Sequence, residues 1–138
     1  MADPTPGVSM SARISGLRVE LEHGPSGTSI HTLPPKDNGG TGASFSLTDL
    51  VGAALVSCAL STMALNAGRE GLAWGDASGT VEKRMSPPPR RIAELVVVIQ
   101  LPKEVKAEQR ARHEEVARTC PVARSLHPEV KVPIEFRY

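Results

Sequence analysis

Two cysteines provide the residue types in this chain that are best suited to redox chemistry. Cys58 lies inside a long apolar run that begins near Ser46, and Cys120 lies in the segment Arg118-Thr-Cys-Pro-Val122. They are the only two cysteines among 138 residues. If the fold brings the two thiols together they can form a redox pair, and otherwise they are small inert residues.

Cys58 is expected about three turns into a helix, where the dipole of the helix adds little to thiolate stability. Apolar surroundings raise the pKa of a thiol, so a reactive Cys58 would need a nearby cation, most plainly an arginine. The alternative interpretation of Cys58 is a small hydrophobic residue in a helix core.

Cys120 precedes Pro121, which restricts it to extended geometry and suits the first position of a short helix over residues 121–126. As the N-cap of that helix, Cys120 would lie near backbone N–H groups that favour a thiolate. Position alone therefore predicts that Cys120 is the more acidic thiol. A cysteine that merely fills a helix junction is the alternative.

Composition excludes several other functions. The 16 basic and 15 acidic residues leave a net charge of +1, and aromatic residues make up 3% of the chain. A nucleic-acid surface, which needs a basic face or stacking rings, is therefore not expected. The four histidines have no metal-ligand spacing with either cysteine, so we predict no metal and no other cofactor.

The amino-terminal residues carry no targeting pattern, so we expect a cytoplasmic protein with reduced thiols. We expect residues 1–10 to be a disordered tail and residues 11–138 to form a single domain. Residues 50–68 are uncharged and long enough to approach a membrane span, but their small and polar residues favour a buried helix of a soluble protein.

The elements that must position the cysteines follow from local patterns. Ser46 and Asp49 predict a capping box that starts a helix running to about Asn66. Strands are predicted over residues 14–21, 28–33, 81–84, 92–101 and 131–136, and a charged helix over residues 106–118. The predicted order is ββ-α-ββ-αα-β, an α+β fold. Because the first helix is apolar on almost every face, we expect a partner subunit to cover part of it.

The two cysteine segments resemble the signatures of the OsmC/Ohr family, the osmotically inducible and organic hydroperoxide resistance proteins. The first match is the run from Ser46 to Cys58 with Gly71-Leu72 after the helix, and the second covers Glu108-Gln-Arg110 and Val116 to Leu126. The order of elements agrees over about residues 14–136. The resemblance implies an intertwined homodimer whose sheets wrap around central helices, with active sites between the subunits.

The resemblance also implies a thiol peroxidase that reduces organic hydroperoxides. Cys58 would attack the peroxide and become a sulfenic acid, Cys120 would resolve it to a disulfide, and an external dithiol of the lipoyl kind would reduce the pair. This reverses the roles that position alone predicts. An apolar wall of Leu50, Leu55 and Met63 would favour apolar peroxides.

This chain differs from the hydroperoxide reductases of that family at two points. Those proteins have a glutamate ten residues before the first cysteine, where this chain has Thr48 followed by Asp49. They also have an arginine in the turn after the first strand, where this chain has His23-Gly-Pro-Ser-Gly27. Arg13 and Arg18 are nearby in sequence but not in that turn, and we consider Arg18 as the activating cation of Cys58. The predicted site is therefore Cys58, Cys120, Arg18, Thr48 and Asp49.

Two alternatives stay open at this stage. The same fold could serve as a redox-responsive or ligand-binding dimer with a poorly activated Cys58, and Thr48 favours that interpretation. A structural dimer with two inert cysteines is the other.

Overall fold

The computed structural model describes residues 5–138, which form two compact units that meet in sequence at Leu50 and Val51. The predicted tail over residues 1–10 lies partly outside the described residues, and Met10 already belongs to the first strand. Each unit contains one three-stranded sheet.

The amino-terminal unit is an antiparallel sheet of β1 (Met10–Ser15), β2 (Arg18–His23) and β3 (Ser29–Thr32), in the order β1-β2-β3. The prediction of one strand over residues 14–21 is wrong. Gly16 has a φ of 61° and turns the chain between β1 and β2, a conformation that glycine adopts without steric cost. The chain turns again over residues 24–26 between β2 and β3, and Gly27 has a φ of 73°.

Helix α1 spans Leu47–Glu70 and begins with the predicted capping box. The Ser46 hydroxyl accepts the Asp49 N–H at 3.0 Å, and an Asp49 carboxylate oxygen accepts the Ser46 N–H at 2.8 Å. The helix runs four residues beyond the predicted end at Asn66. It ends where Gly71 adopts a left-handed φ of 67°, and the Leu72 N–H bonds back to the Ala67 carbonyl, as in a glycine C-cap.

In the carboxyl-terminal unit, α1 packs on a sheet of β4 (Ser78–Met85), β5 (Ile92–Gln100) and β6 (Ile134–Arg137). β4 pairs antiparallel with β5, and β6 pairs parallel with β5. Gly79 allows the close approach of helix and sheet, since a Cβ there would lie 2.8 Å from a methyl group of Val56. The core contains Leu55, Ala59 and Met63 from the helix and Leu95, Val97 and Ile99 from β5.

Among the described residues, α1 is the one helix long and apolar enough to cross a membrane by length and composition. A helix in the core of a soluble protein meets the same criterion. The stripe of α1 that contains Leu55 and Met63 is buried against β5, which is the arrangement predicted for a core helix.

Two short helices return the chain across this unit. α2 spans Arg110–Arg118 after a single 3-10 turn, and α3 spans Pro121–Ser125. Cations on α2 lie over aromatic rings at the end of the chain: Arg118 is 4.9 Å from the ring centre of Phe136, and Arg110 is 4.0 Å from that of Tyr138. These contacts fix α2 against the end of β6 and thereby place the junction that holds Cys120.

The observed order is therefore βββ-α-ββ-αα-β. The predicted α+β class is confirmed, with one more strand at the amino end than the predicted order contains.

Candidate functional site

Cys58 lies in the middle of α1, half-buried on the edge of the core. The backbone N–H of Val122 donates to its Sγ at 3.5 Å. The Thr62 hydroxyl lies 3.7 Å from the same sulfur, one helical turn further along α1. Cys120 lies two residues before Val122 and is one of the groups that lower the pKa of Cys58. The fold thus brings the two cysteines together although they are distant in sequence.

Cys120 occupies the predicted N-cap position of α3. Its φ of −63° and ψ of 156° are extended, and Pro121 is the first helical residue. The cysteine is fully buried. Because proline has no N–H, the first amide that α3 can donate belongs to Val122, and this amide points at the sulfur of Cys58.

The two thiols differ in acidity. Burial raises the pKa of Cys58, but the hydrogen bonds from Val122, Cys120 and Thr62 together outweigh it and hold this pKa below its ordinary value. Burial also raises the pKa of Cys120; the amides of Ala123 and Val122 oppose this, the neighbouring Cys58 adds to it, and the pKa stays above its ordinary value. The prediction from position, that Cys120 is the more acidic thiol, is therefore wrong, since burial outweighs the effect of the helix end.

Both cysteines are free thiols in this structure. The half-buried, more acidic Cys58 has the character of an attacking thiol, because the thiolate is the nucleophile. The buried Cys120 beside it has the character of a resolving thiol, which needs contact with the first sulfur more than contact with solvent. The pair can cycle chemically between dithiol and disulfide.

Arg18, Thr48 and Asp49 lie in the amino-terminal unit. The Arg18 guanidinium pairs with the Glu20 carboxylate at 2.6 Å on an exposed strand. Asp49 closes the capping box, and the Thr48 hydroxyl lies 3.4 Å from that of Ser46. The roles of these three residues at Cys58 stay predictions, as do the catalytic roles of the cysteines.

The expected apolar wall needs one correction. Leu55 is 1% exposed and Met63 is 0% exposed, and both belong to the core between α1 and the sheet. They are covered by their own unit, so they do not form an open surface for a substrate. Leu50, in the other unit, is half-buried.

Sequence reasoning missed two partners of Cys58, namely Thr62 and the Val122 amide. Thr62 could have been found from its spacing, because residues four apart on a helix are neighbours. The Val122 amide had no such signal, since its contact depends on how α3 docks against α1.

Comparison with known proteins agrees with this fold and site. A family model described as OsmC-like protein matches residues 40–135. No curated protein matches the chain. A crystal structure from Psychrobacter arcticus 273-4, described as an osmotic stress induced and detoxification response protein, is 30% identical with a TM-score of 0.88, and the match covers 96% of this chain and 98% of that one.

Two more distant structures share the fold. An organic hydroperoxide resistance protein OsmC from Legionella pneumophila is 16% identical with a TM-score of 0.79, over 99% of this chain and 100% of that one. An organic hydroperoxide resistance protein from Elizabethkingia anophelis is 15% identical with a TM-score of 0.77, over 99% of both chains. The match of the family model over most of the chain and the similarity to the Psychrobacter protein along its whole length show that this chain belongs to the OsmC-like protein family.

Proposed function

We propose that this protein is a thiol-dependent peroxidase that reduces organic hydroperoxides through Cys58 and Cys120 and so serves in oxidative-stress detoxification. The observation that carries the proposal is that the Val122 amide, two residues beyond Cys120, donates to the Cys58 sulfur. The only two thiols of the chain are therefore neighbours, one half-buried with a lowered pKa and the other buried with a raised pKa. Family membership supports a role in peroxide detoxification or redox chemistry.

The proposed reaction uses Cys58, Cys120, the hydroperoxide and an external dithiol. The Cys58 thiolate attacks the terminal peroxide oxygen; the O–O bond breaks, the alkoxide leaves and takes a proton as the alcohol, and Cys58 becomes a sulfenic acid. The Cys120 sulfur then attacks the Cys58 sulfur, forming a disulfide and releasing water. An external dithiol of the lipoyl kind reduces this disulfide by thiol–disulfide exchange and is itself oxidised to a disulfide.

A homodimer in the cytoplasm completes the proposal. Strand pairing places Met10, Ile14 and Ile30 on one face of the amino-terminal sheet, where they are 70%, 65% and 51% exposed in the single chain. On α1, Leu65 is 58% exposed. A second copy that covers these apolar residues would remove them from water. A reducing compartment would keep the resting cysteines as the free thiols described above.

The direct test is peroxide consumption with cumene hydroperoxide as substrate and dihydrolipoamide as reductant. We expect wild-type protein to turn over, and Cys58→Ser to fall to the uncatalysed rate because the nucleophile is gone. Cys120→Ser should consume about one equivalent of peroxide per subunit and then stop, since its sulfenic acid has no resolving thiol. A sulfenic-acid probe such as dimedone should label Cys58 in that variant.

The alternative function is a redox-responsive dimer that is oxidised without efficient turnover. Thr48, in place of the glutamate of the hydroperoxide reductases, is the observation that favours it. Equal background rates for wild type and both variants would rule out the peroxidase. Formation of the Cys58–Cys120 disulfide by peroxide under those conditions would then support the redox-responsive protein.

A further inference from the structure

Cys58 lies far from the start of a 24-residue helix, so the helix dipole contributes little to the stability of its thiolate. The side-chain and backbone contacts of its sulfur therefore matter more for that stability. The Val122 amide and the Cys120 thiol come from a different helix junction, whereas Thr62 comes from α1 itself. Thr62 is therefore the partner whose position relative to Cys58 is fixed by helix geometry.

The contact is selective for the ionised sulfur. A thiol can donate to the Thr62 oxygen or accept from it, and either atom fits as donor at 3.7 Å. A thiolate can only accept, so the hydroxyl must then donate, and hydrogen bonds to charged acceptors are stronger than neutral ones. The hydroxyl therefore stabilises the thiolate more than the thiol.

Helical threonines commonly bond instead to the carbonyl four residues earlier. Thr119 shows that pattern in this protein, because its hydroxyl donates to the Glu115 carbonyl at 2.8 Å. The Thr62 hydroxyl lies instead within hydrogen-bond distance of the Cys58 sulfur, at 3.7 Å. Its half-buried position keeps bulk water from replacing this contact in full.

We propose that Thr62 is a thiolate-stabilising residue for Cys58, whose hydroxyl donates to the attacking sulfur alongside the Val122 amide. The titratable group that faces Cys58 from the adjoining helix junction is Cys120. The inference rests on the proposed function for its catalytic meaning, but the property itself belongs to the reduced protein without peroxide.

The test is alkylation of Cys58 by iodoacetamide as a function of pH, with Cys58 and Cys120 followed separately by mass spectrometry of their peptides. Thr62→Val keeps the shape and removes the hydroxyl, and we expect the pH midpoint for Cys58 to rise and its rate at pH 7 to fall roughly fivefold. Thr62→Ser keeps the hydroxyl and should stay close to wild type. Thr62→Ala also lacks the hydroxyl and should change in the same direction as Thr62→Val.

Ser61→Ala is the matched control, because it removes a hydroxyl from the neighbouring, exposed position of the same helix; it should leave the Cys58 midpoint unchanged. Far-UV circular dichroism and thermal melting verify that each variant is folded. Midpoints for Thr62→Val and Thr62→Ala equal to that of wild type would overturn the inference.

Peroxide turnover is measured separately, so the two proposals can fail independently. A shifted midpoint in a protein without turnover keeps the role of Thr62 and removes the peroxidase. Peroxide turnover together with unshifted alkylation midpoints keeps the peroxidase and removes the role of Thr62. If both hold, Thr62→Val should lose turnover at pH 7 and regain much of it at higher pH, where the thiol ionises without help.

Discussion

The difference in acidity between the two thiols follows from burial and from the hydrogen bonds to the Cys58 sulfur, one of which comes from the Val122 amide. It is the first N–H of α3, and it donates to Cys58 across a junction whose own N-cap is Cys120. Cys120, though placed at the helix end, is fully buried, so desolvation determines its acidity. The lowered pKa of Cys58 therefore rests on hydrogen bonds to its sulfur, of which the one from Val122 depends on how α3 docks and had no signal in the local sequence.

His113 is a polar residue that is fully buried without hydrogen bonds from its side chain to the described residues. Its side chain is 0% exposed, its ring lies 5.2 Å from the Trp74 ring, and neither ring nitrogen has a hydrogen-bond partner among the described residues. Burial lowers the pKa of His113, the charge of Glu70 opposes this, and the charge of Arg112 adds to it. Its spacing from Val116 and Ala117, the other buried residues of α2, explains the inward direction of this side chain but not its lack of partners.

Stability should consequently fall in acid. The folded chain binds the His113 proton more weakly than the unfolded chain, whose imidazole has its ordinary pKa near 6.5. The contribution that neutral His113 makes to the free energy of unfolding is therefore fully present above this pKa and is lost as the pH falls below it. We expect His113→Phe to be at least as stable as wild type at pH 7.5, with a gain of up to about 1 kcal/mol, and to lose less stability than wild type at pH 5.5.

Urea unfolding at pH 7.5 and pH 5.5 measures the free energy of unfolding of each protein. His127→Phe, at an exposed loop position, is the control and should lose as much stability in acid as wild type. An identical loss in acid for wild type and His113→Phe would show that other groups control the acid sensitivity.

At the scale of elements, the signals that could be read from the sequence were local ones. The Ser46–Asp49 box, Gly71 at the end of α1 and Pro121 at the start of α3 each specify a boundary through a few neighbouring residues. The turn at Gly16 and Leu17 contains only the weak signal Ser15-Gly16. The strand-like residues on both sides of it therefore fit one continuous strand as well as two short ones.

The capping box makes a quantitative prediction. Ser46→Ala removes the oxygen that accepts the Asp49 N–H and should lower the free energy of unfolding by about 1 kcal/mol. Ser46→Thr keeps an oxygen there and should recover much of the loss. Ser57→Ala, at an exposed position on the same helix, should leave stability unchanged or slightly raised. Urea unfolding at one protein concentration measures all three, and equal losses for the Ala and Thr variants would show that packing around Ser46 matters more than the cap.

At the scale of the whole molecule, the contact between Cys58 and Cys120 could not have been derived from spacing. It depends on α2 and α3, which follow β5 and precede β6 in the chain, packing back near α1. Only the family resemblance indicated this arrangement. Periodicity did predict a helix too apolar for a single chain to cover. The remaining exposed apolar residues, on the amino-terminal sheet and on α1, are the physical reason to expect a partner.

The amino-terminal sheet allows that expectation to be tested on one strand. Ile14 lies on the face that Met10 and Ile30 share, whereas Ser11 lies on the opposite, polar face. We expect wild-type protein to sediment as a dimer of twice 14.6 kDa. In Ile14→Asp the dissociation constant of the dimer should rise about tenfold or more, because a buried charge replaces buried apolar surface. Ser11→Asp adds the same charge to the other face and should sediment like wild type. A wild-type monomer at every concentration would remove the dimer from the proposal, and an Ile14→Asp dimer as tight as Ser11→Asp would place the interface away from this sheet.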